Sequence, residues 1–183
     1  MCKIPDYLKP YQDAVEEHGG TFDATLWRSR DGQVLRFKTF CDLIDFTGVS
    51  ILDVGCGVGD FSEYLIQRKI KFKSFHGIDA MEAMIATAKN RQLEGSTFSV
   101  CDMVEDSDIF TGFDWITFSG SLNAIDENIA MATVNAAYER CERGVAFNFL
   151  SNQSDHESTS EDLSPATRFN TMQWIESALS LSK

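Results

Sequence analysis

Val49-Ser50-Ile51-Leu52-Asp53-Val54-Gly55-Cys56-Gly57-Val58-Gly59 decides how this chain is read. Residues 49–54 are a short apolar run with β-branched members, the pattern of a strand buried on both faces. Gly55, Cys56, Gly57, Val58 and Gly59 follow without a break. Glycines here let the backbone turn sharply and let a ligand reach the main chain with no Cβ in the way. Asp60 to Lys69 then carries Phe61, Tyr64 and Leu65 at helical spacing. A glycine loop alone is common in structural turns, so its context gives it weight. A strand precedes it, a helix follows it, and Asp79 lies about 20 residues beyond Gly59, at the end of the next strand. An acid so placed accepts hydrogen bonds from ribose hydroxyls.

Outward from the loop, strand and helix patterns alternate. Residues 72–78 read as a strand ending at Asp79, and 81–93 as a helix with Met84, Ile85 and Ala88 inward. Residues 97–101 read as a strand ending at Asp102, and 113–118 as one ending in Ser119-Gly120. A helix over 128–140 and a strand over 145–150 follow. Residues 151–164 are polar and read as a mobile surface loop. Residues 167–181 read as a last helix with Phe169, Met172, Ile175 and Leu179 inward. Upstream, 6–18 reads as a helix stopped by Gly19-Gly20, and 21–32 as irregular. Residues 33–46 read as a helix, with Val34, Phe37, Phe40, Cys41 and Ile44 at helical spacing. The pattern predicts an α/β fold, doubly wound and Rossmann-like, with a mainly parallel sheet of about five strands. It predicts one domain over 1–183: an N-terminal helical cap at 1–48 and a cofactor-binding core at 49–183. The ligand belongs beyond the carboxyl ends of the strands, beside the first strand.

Composition sets limits. The 183 residues carry a net charge of −12 with 43% hydrophobic residues, so the chain can bury a core. That charge argues against gripping nucleic acid through a broad basic face. No stretch approaches the roughly 18 apolar residues that suggest a membrane span, and the first residues lack the apolar region of a secretory signal. The five cysteines are odd in number and form no C-x-x-C pair, which fits reduced thiols in the cytoplasm. His18, His76 and His156 share no metal-ligand spacing with them, so no metal site is expected.

The loop also discriminates between nucleotides. A nicotinamide fingerprint of G-x-G-x-x-G counted from Gly55 needs glycine at residue 60, where Asp60 stands. A carboxylate at a helix start opposes a pyrophosphate and suits a ligand carrying positive charge.

At this point the residues resemble the class I S-adenosylmethionine-dependent methyltransferases. Leu52 to Gly59 is similar to the first motif of that family, and Gly77-Ile78-Asp79 to the second-strand motif whose acid holds the ribose. Val100-Cys101-Asp102-Met103 resembles the third-strand motif, whose acid contacts the adenine amino group. Asp114 to Gly120 resembles the fourth, which runs along the cofactor. The likeness covers roughly residues 33–150. It implies S-adenosyl-L-methionine as cofactor and S-adenosyl-L-homocysteine as product. It implies that Gly55, Cys56 and Gly57 cradle the methionyl part, that Ala80 and Met81 flank the adenosine, and that Gly59, Cys101, Asp102, Met103, Ser119 and Gly120 complete the site. Met84 reads as plain helix core. Asp53 has two readings, toward ligand or toward the amides of its own loop. Trp27, Gln33, Arg36 and Phe37 stand where this fold closes over the cofactor, and Arg36 could pair with the cofactor carboxylate; a solvated helix charge is its other reading.

Methyl transfer from a sulfonium is an in-line displacement in which the enzyme mostly aligns the partners and excludes water. No catalytic residue is therefore assigned, and the −12 charge with the motif absence below makes a small-molecule acceptor the expectation. Ser121 or Asn123 could touch it, or cap the helix that follows. The Asn/Asp-Pro-Pro-aromatic motif of the family's amino-methylating enzymes is absent after the fourth strand. The rivals are a non-catalytic relative that binds cofactor or a protein partner, and an NAD-dependent oxidoreductase. The family sheet ends in a strand hairpin for which no sequence is found here. The chain then reads as a trimmed or natural short form, or one whose edge a partner covers; the fifth strand lies at that sheet edge, which invites pairing with a second copy.

Overall fold

A computed structural model describes residues 4–153 and 165–181. Its helices are α1 (Lys9–His18), α2 (Arg30–Leu43), α3 (Asp60–Gln67), α4 (Glu82–Asn90), α5 (Glu127–Arg140) and α6 (Thr171–Leu181). Its strands are β1 (Ser50–Val54), β2 (Ser74–Asp79), β3 (Ser96–Val100), β4 (Trp115–Phe118) and β5 (Gly144–Phe147). The expected loop at 151–164 lies, from residue 154 on, outside the described residues.

The five strands form one sheet in the order β3-β2-β1-β4-β5, every pair parallel. The chain winds outward from β1 in one direction and restarts at β4 in the other. The switch point therefore lies between β1 and β4, where such sheets open a crevice at the strands' carboxyl ends. All five residues of β1 are buried, because helices cover both faces.

Period-two alternation divides the core into two layers. Leu52, Val54, Ile78, Ile116 and Phe118 face α5 and Trp174 of α6. Ile51, Phe75 and Phe98 face α3 and α4 and meet Phe37 and Phe40 of α2. Phe61 is the hub of the second layer, with ring centroids 5.0 Å from Phe37, 5.7 Å from Phe46 and 6.2 Å from Phe75. Burying one such ring stabilises the fold by about 1.5–3 kcal/mol.

Two expected helix faces are corrected. Helix α2 starts at Arg30 rather than 33, because the Ser29 hydroxyl accepts the Gly32 amide at 3.1 Å and caps it. Its buried stripe is Gln33, Phe37 and Phe40, while Val34 is exposed. Helix α6 starts at Thr171, and Met172, Ile175 and Leu179 face outward. Trp174 takes the inward place. Its ring stacks on Phe169 at 5.5 Å, and its Nε1–H donates to Glu127 Oε1 at 3.0 Å. Phe169 is buried as expected, but ahead of the helix, in a parallel bridge with Ser151. Among the described residues β5 pairs only with β4, so its outer side is the sheet edge that the sequence implied.

Candidate functional site

The carboxyl end of β1 runs straight into the glycine loop. Gly55 and Cys56 amides both donate to Ile78 O of β2, at 2.8 and 2.9 Å, which ties the turn to the next strand. Gly55 adopts φ +73°, and a Cβ there would stand 2.4 Å from Ser121 Cβ. Only glycine combines that backbone with that close approach. Gly59 holds φ +84° as the N-cap of α3 and packs against Phe98 beneath the loop.

The acid at the end of β2 organises the loop from the other side. Asp79 accepts the Gly57 amide on Oδ2 and the Met81 amide on Oδ1, both at 2.9 Å. Burial raises its pKa, and the two amides oppose that rise. Asp102, past the end of β3, accepts the Val104 amide at 3.0 Å and the Tyr7 hydroxyl at 2.5 Å. Burial first, and the Asp102 carboxylate second, keep the Tyr7 phenol protonated well above its ordinary range. Asp53, 3% exposed, accepts one hydrogen bond among the described residues, from Thr117 Oγ1 at 2.7 Å. Burial pushes its pKa up to about 7, and the Asp79 and Asp60 charges add to the rise.

These groups surround one open pocket at the carboxyl ends of the strands. Asp53, Gly55, Cys56, Gly57, Asp79, Ala80, Met81, Cys101, Asp102, Met103, Ser119, Gly120 and Ser121 all line it. Met84, expected as plain core, is 2% exposed and also reaches the wall. Three aspartates and no lysine or arginine line the pocket. The Ser119 hydroxyl is buried with no hydrogen-bond partner among the described residues.

A cap from the N-terminal segment closes the other side. Tyr7, Leu8, Tyr11, Thr25, Trp27, Gln33 and Phe37 line the pocket from above. The last three were expected; Tyr7, Leu8, Tyr11 and Thr25 carry no motif and were missed. The helix pattern at 6–18 was the only signal for the first three, and it does not say what that helix covers. Arg36 stands behind Trp27, its guanidinium 4.4 Å from the ring centroid, and donates to Asn148 Oδ1 at 3.2 Å. The Gly120 amide donates to the same oxygen at 3.0 Å, so Arg36 meets the pocket at its Gly120 side rather than in its wall. Burial lowers the Arg36 pKa.

Three expectations change here. Asn123 is not brought to the pocket. It is 3% exposed, donates to Thr167 O at 2.7 Å and accepts the Leu150 amide at 2.9 Å, so it braces the segments after β5. Gly59 serves the helix start and not the lining. Asp60 does not face a ligand: Arg91 binds it at 2.7 Å, binds Val58 O at 2.6 Å and Glu63 at 2.6 Å, and Gln33 donates to it at 3.2 Å. Arg91 thus neutralises the helix-start carboxylate from within the protein. Ser121 reaches the wall, with its hydroxyl donated to Val54 O at 2.8 Å.

No curated protein sequence matches the chain. Among solved structures, the complex of DhpI with SAM and HEP superposes with a TM-score of 0.70 at 16% identity, covering 96% of this chain and 86% of that one. Magnesium protoporphyrin IX methyltransferase from Synechocystis PCC 6803, with bound SAM, gives 0.63 at 14% identity over 99% and 74%. Phosphoethanolamine N-methyltransferase 1 of Haemonchus contortus gives 0.67 at 14% identity over 93% and 39%. At such identities these likenesses establish the fold. A methyltransferase-domain family model matches residues 51–165, from β1 through the region past β5. The chain therefore belongs to the class I S-adenosylmethionine-dependent methyltransferases.

Proposed function

We propose that this protein moves the methyl group of S-adenosylmethionine onto a small-molecule acceptor. The observation that carries the reading is the pocket at the switch point: three aspartates, no lining cation, and backbone bared by glycine. Such a donor set fits a cofactor with a cationic sulfur, a ribose diol and an adenine amine. The partnerless Ser119 hydroxyl, buried beside Gly120, is a further polar group for a ligand to satisfy.

In this reading Asp79 takes the ribose hydroxyls. Its two amide bonds hold its oxygens in place before a ligand arrives. Asp102 takes the adenine amine, with Ala80, Met81, Cys101 and Met103 around the base. Arg36 and Asn148, beside Gly120, suit the cofactor carboxylate. When bound, the cofactor supplies an electrophilic methyl group open to in-line displacement. The chain's own part is to orient and to exclude water, with the Tyr7, Tyr11 and Trp27 cap covering the site. Several fold neighbours act on small molecules, and the −12 charge disfavours a nucleic-acid acceptor.

Thermal shift with S-adenosylhomocysteine and with NAD tests the cofactor; stabilisation by NAD alone overturns the reading. Tight cofactor binding without methyl transfer across a broad panel of small acceptors favours a non-catalytic relative. The four described cysteines are free thiols, which supports a cytoplasmic setting. No helix among the described residues is long and apolar enough to cross a membrane. The open side of β5 supports pairing with a second copy; a strict monomer by light scattering counts against it.

A further inference from the structure

We propose that the methyl acceptor is a small nucleophilic amine whose nitrogen is oriented by the Ser119 hydroxyl. The inference rests on the methyltransferase reading and names the acceptor class of that same site. It starts from charge. Asp53, Asp79 and Asp102 line the pocket, and no lysine, arginine or histidine among the described residues does. The cap adds the rings of Tyr7, Tyr11 and Trp27 and no cation. Arg36, beside Gly120, is engaged by Asn148 and by the Trp27 ring. A carboxylate, phosphate or phenolate acceptor would enter this space without a partner and against three like charges.

The charge flow of the reaction points the same way. When a neutral amine attacks, the N–C bond forms as the C–S bond breaks. The positive charge moves from sulfur to nitrogen and is never cancelled, and a proton then leaves the methylated nitrogen for solvent. Carboxylates and ring faces stabilise that charge along the whole path. When an anion attacks, the positive charge disappears, and the same carboxylates favour the reactants over the transition state. A hydroxyl acceptor needs a base at the reacting oxygen. Burial keeps the Tyr11 phenol and the Cys56 and Cys101 thiols protonated, and Asp79 and Asp102 already accept backbone amides. A free amine brings its own lone pair.

Two neutral oxygens are left to orient such a nitrogen. Ser119 follows β4 at the switch point, and its hydroxyl is buried in the pocket wall with no partner among the described residues. No cofactor group is assigned to it. Gln33 gives its amide N–H to Asp60 at 3.2 Å, so its carbonyl oxygen is what it offers the pocket it lines. Both oxygens can accept N–H bonds and leave the lone pair free. The Asn/Asp-Pro-Pro-aromatic motif is absent. That agrees with a nitrogen that is nucleophilic by itself, unlike a nucleobase amino group, whose lone pair is delocalised into the ring.

Sinefungin tests the site before the acceptor is known, because it carries an ammonium where S-adenosylmethionine carries its methyl group. By calorimetry we expect sinefungin to bind about tenfold or more tightly than S-adenosylhomocysteine, the worth of one charged hydrogen bond. Ser119→Ala should cut that preference about three- to tenfold and leave S-adenosylhomocysteine affinity within about twofold. Its denaturation midpoint should stay unchanged or rise, since the substitution removes an unsatisfied buried group. Equal loss of both ligands, or a lower midpoint, makes Ser119 structural and overturns its role. Sinefungin binding no tighter than S-adenosylhomocysteine overturns the inference and leaves the methyltransferase reading intact. Binding of neither overturns both. Turnover supplies the second arm. Benzylamine, benzyl alcohol and benzoate, which share one skeleton, are each offered with S-adenosylmethionine, and S-adenosylhomocysteine is counted. Transfer to the amine alone supports the inference. Transfer to the alcohol or the acid at or above the rate of the amine overturns it. With no transfer to any of the three, the sinefungin comparison decides.

Discussion

The floor of the pocket and the cap above it reach the same ligand space by different routes. The floor is made of residues at the carboxyl ends of adjacent parallel strands: Asp53 near the end of β1 and Gly55 just past it, Asp79 as the last residue of β2, Asp102 past β3 and Ser119 past β4. Strand register delivers all of them to one edge, and the Gly55, Cys56 and Gly57 amides lock the loop to β2. The cap comes from residues 7–37 and is fixed to the floor by side chains. Tyr7 reaches Asp102, Ala14 and Ala24 pack on Val58 and Met84, and Trp27 lies over Gly120. The difference teaches where rigidity resides. The floor is preorganised by backbone, so changes there remove binding; the cap is held by a few contacts, so changes there loosen it.

Four measurements test that contrast. The largest effect is expected at Asp79. On the proposed function Asp79→Ala takes away the acceptor for two charge-assisted ribose bonds, together about 3–6 kcal/mol, so S-adenosylhomocysteine affinity by calorimetry should fall on the order of 100-fold or more. A loss below tenfold would mean that the floor does not hold the ribose. Gly55→Ala comes next. The positive φ and the 2.4 Å clash with Ser121 Cβ cost about 1–3 kcal/mol of stability, seen as a lower chemical-denaturation midpoint, with binding weakened in parallel. In the cap, Tyr7→Phe removes one hydrogen bond to a carboxylate. That bond exists before any ligand binds, so its loss should lower stability by about 1.5–3 kcal/mol, seen as a lower denaturation midpoint, with a smaller loss of cofactor affinity than in Asp79→Ala. An unfolded Tyr7→Phe protein would show the cap to be part of the core rather than a cover.

The smallest effect separates stability from function within the floor. The folded-state pKa of Asp53 lies above its unfolded value, so ionising it opposes folding. Its favourable contribution is full below the unfolded pKa near 3.8 and is lost as pH rises toward about 7. Asp53→Asn should therefore raise the melting temperature of the ligand-free protein at pH 8 while weakening cofactor binding. A lower melting temperature at pH 8 would mean that the carboxylate is structural.

Much of the floor was legible in sequence because its chemistry sits at fixed offsets from strand ends. The same locality made the helix faces ambiguous. On α6, Met172, Ile175 and Leu179 form one apolar stripe, and Trp174, Ala178 and Leu181 form another. Periodicity cannot choose between them; the packing of Trp174 against Phe147, Phe149 and Phe169 does. Asp60 was misread for a related reason: its partner Arg91 stands 31 positions away, and no spacing rule links them. Asn123 has the residue type of a substrate contact, but the carbonyl and amide of distant segments engage its side chain.

By itself the sequence determined the alternating α/β order, the glycine loop and the acids that close β2 and β3. These depend on local periodicity and on backbone conformations that glycine permits. Which side chains line the pocket and which engage other parts of the protein is set by tertiary contacts. They turned Asp60 toward Arg91, enclosed Asp53 with a single hydroxyl for company, and swung Tyr7 across to Asp102. Burial and charge compensation are properties of residues far apart in the chain, and only the folded molecule brings them within a hydrogen bond of one another.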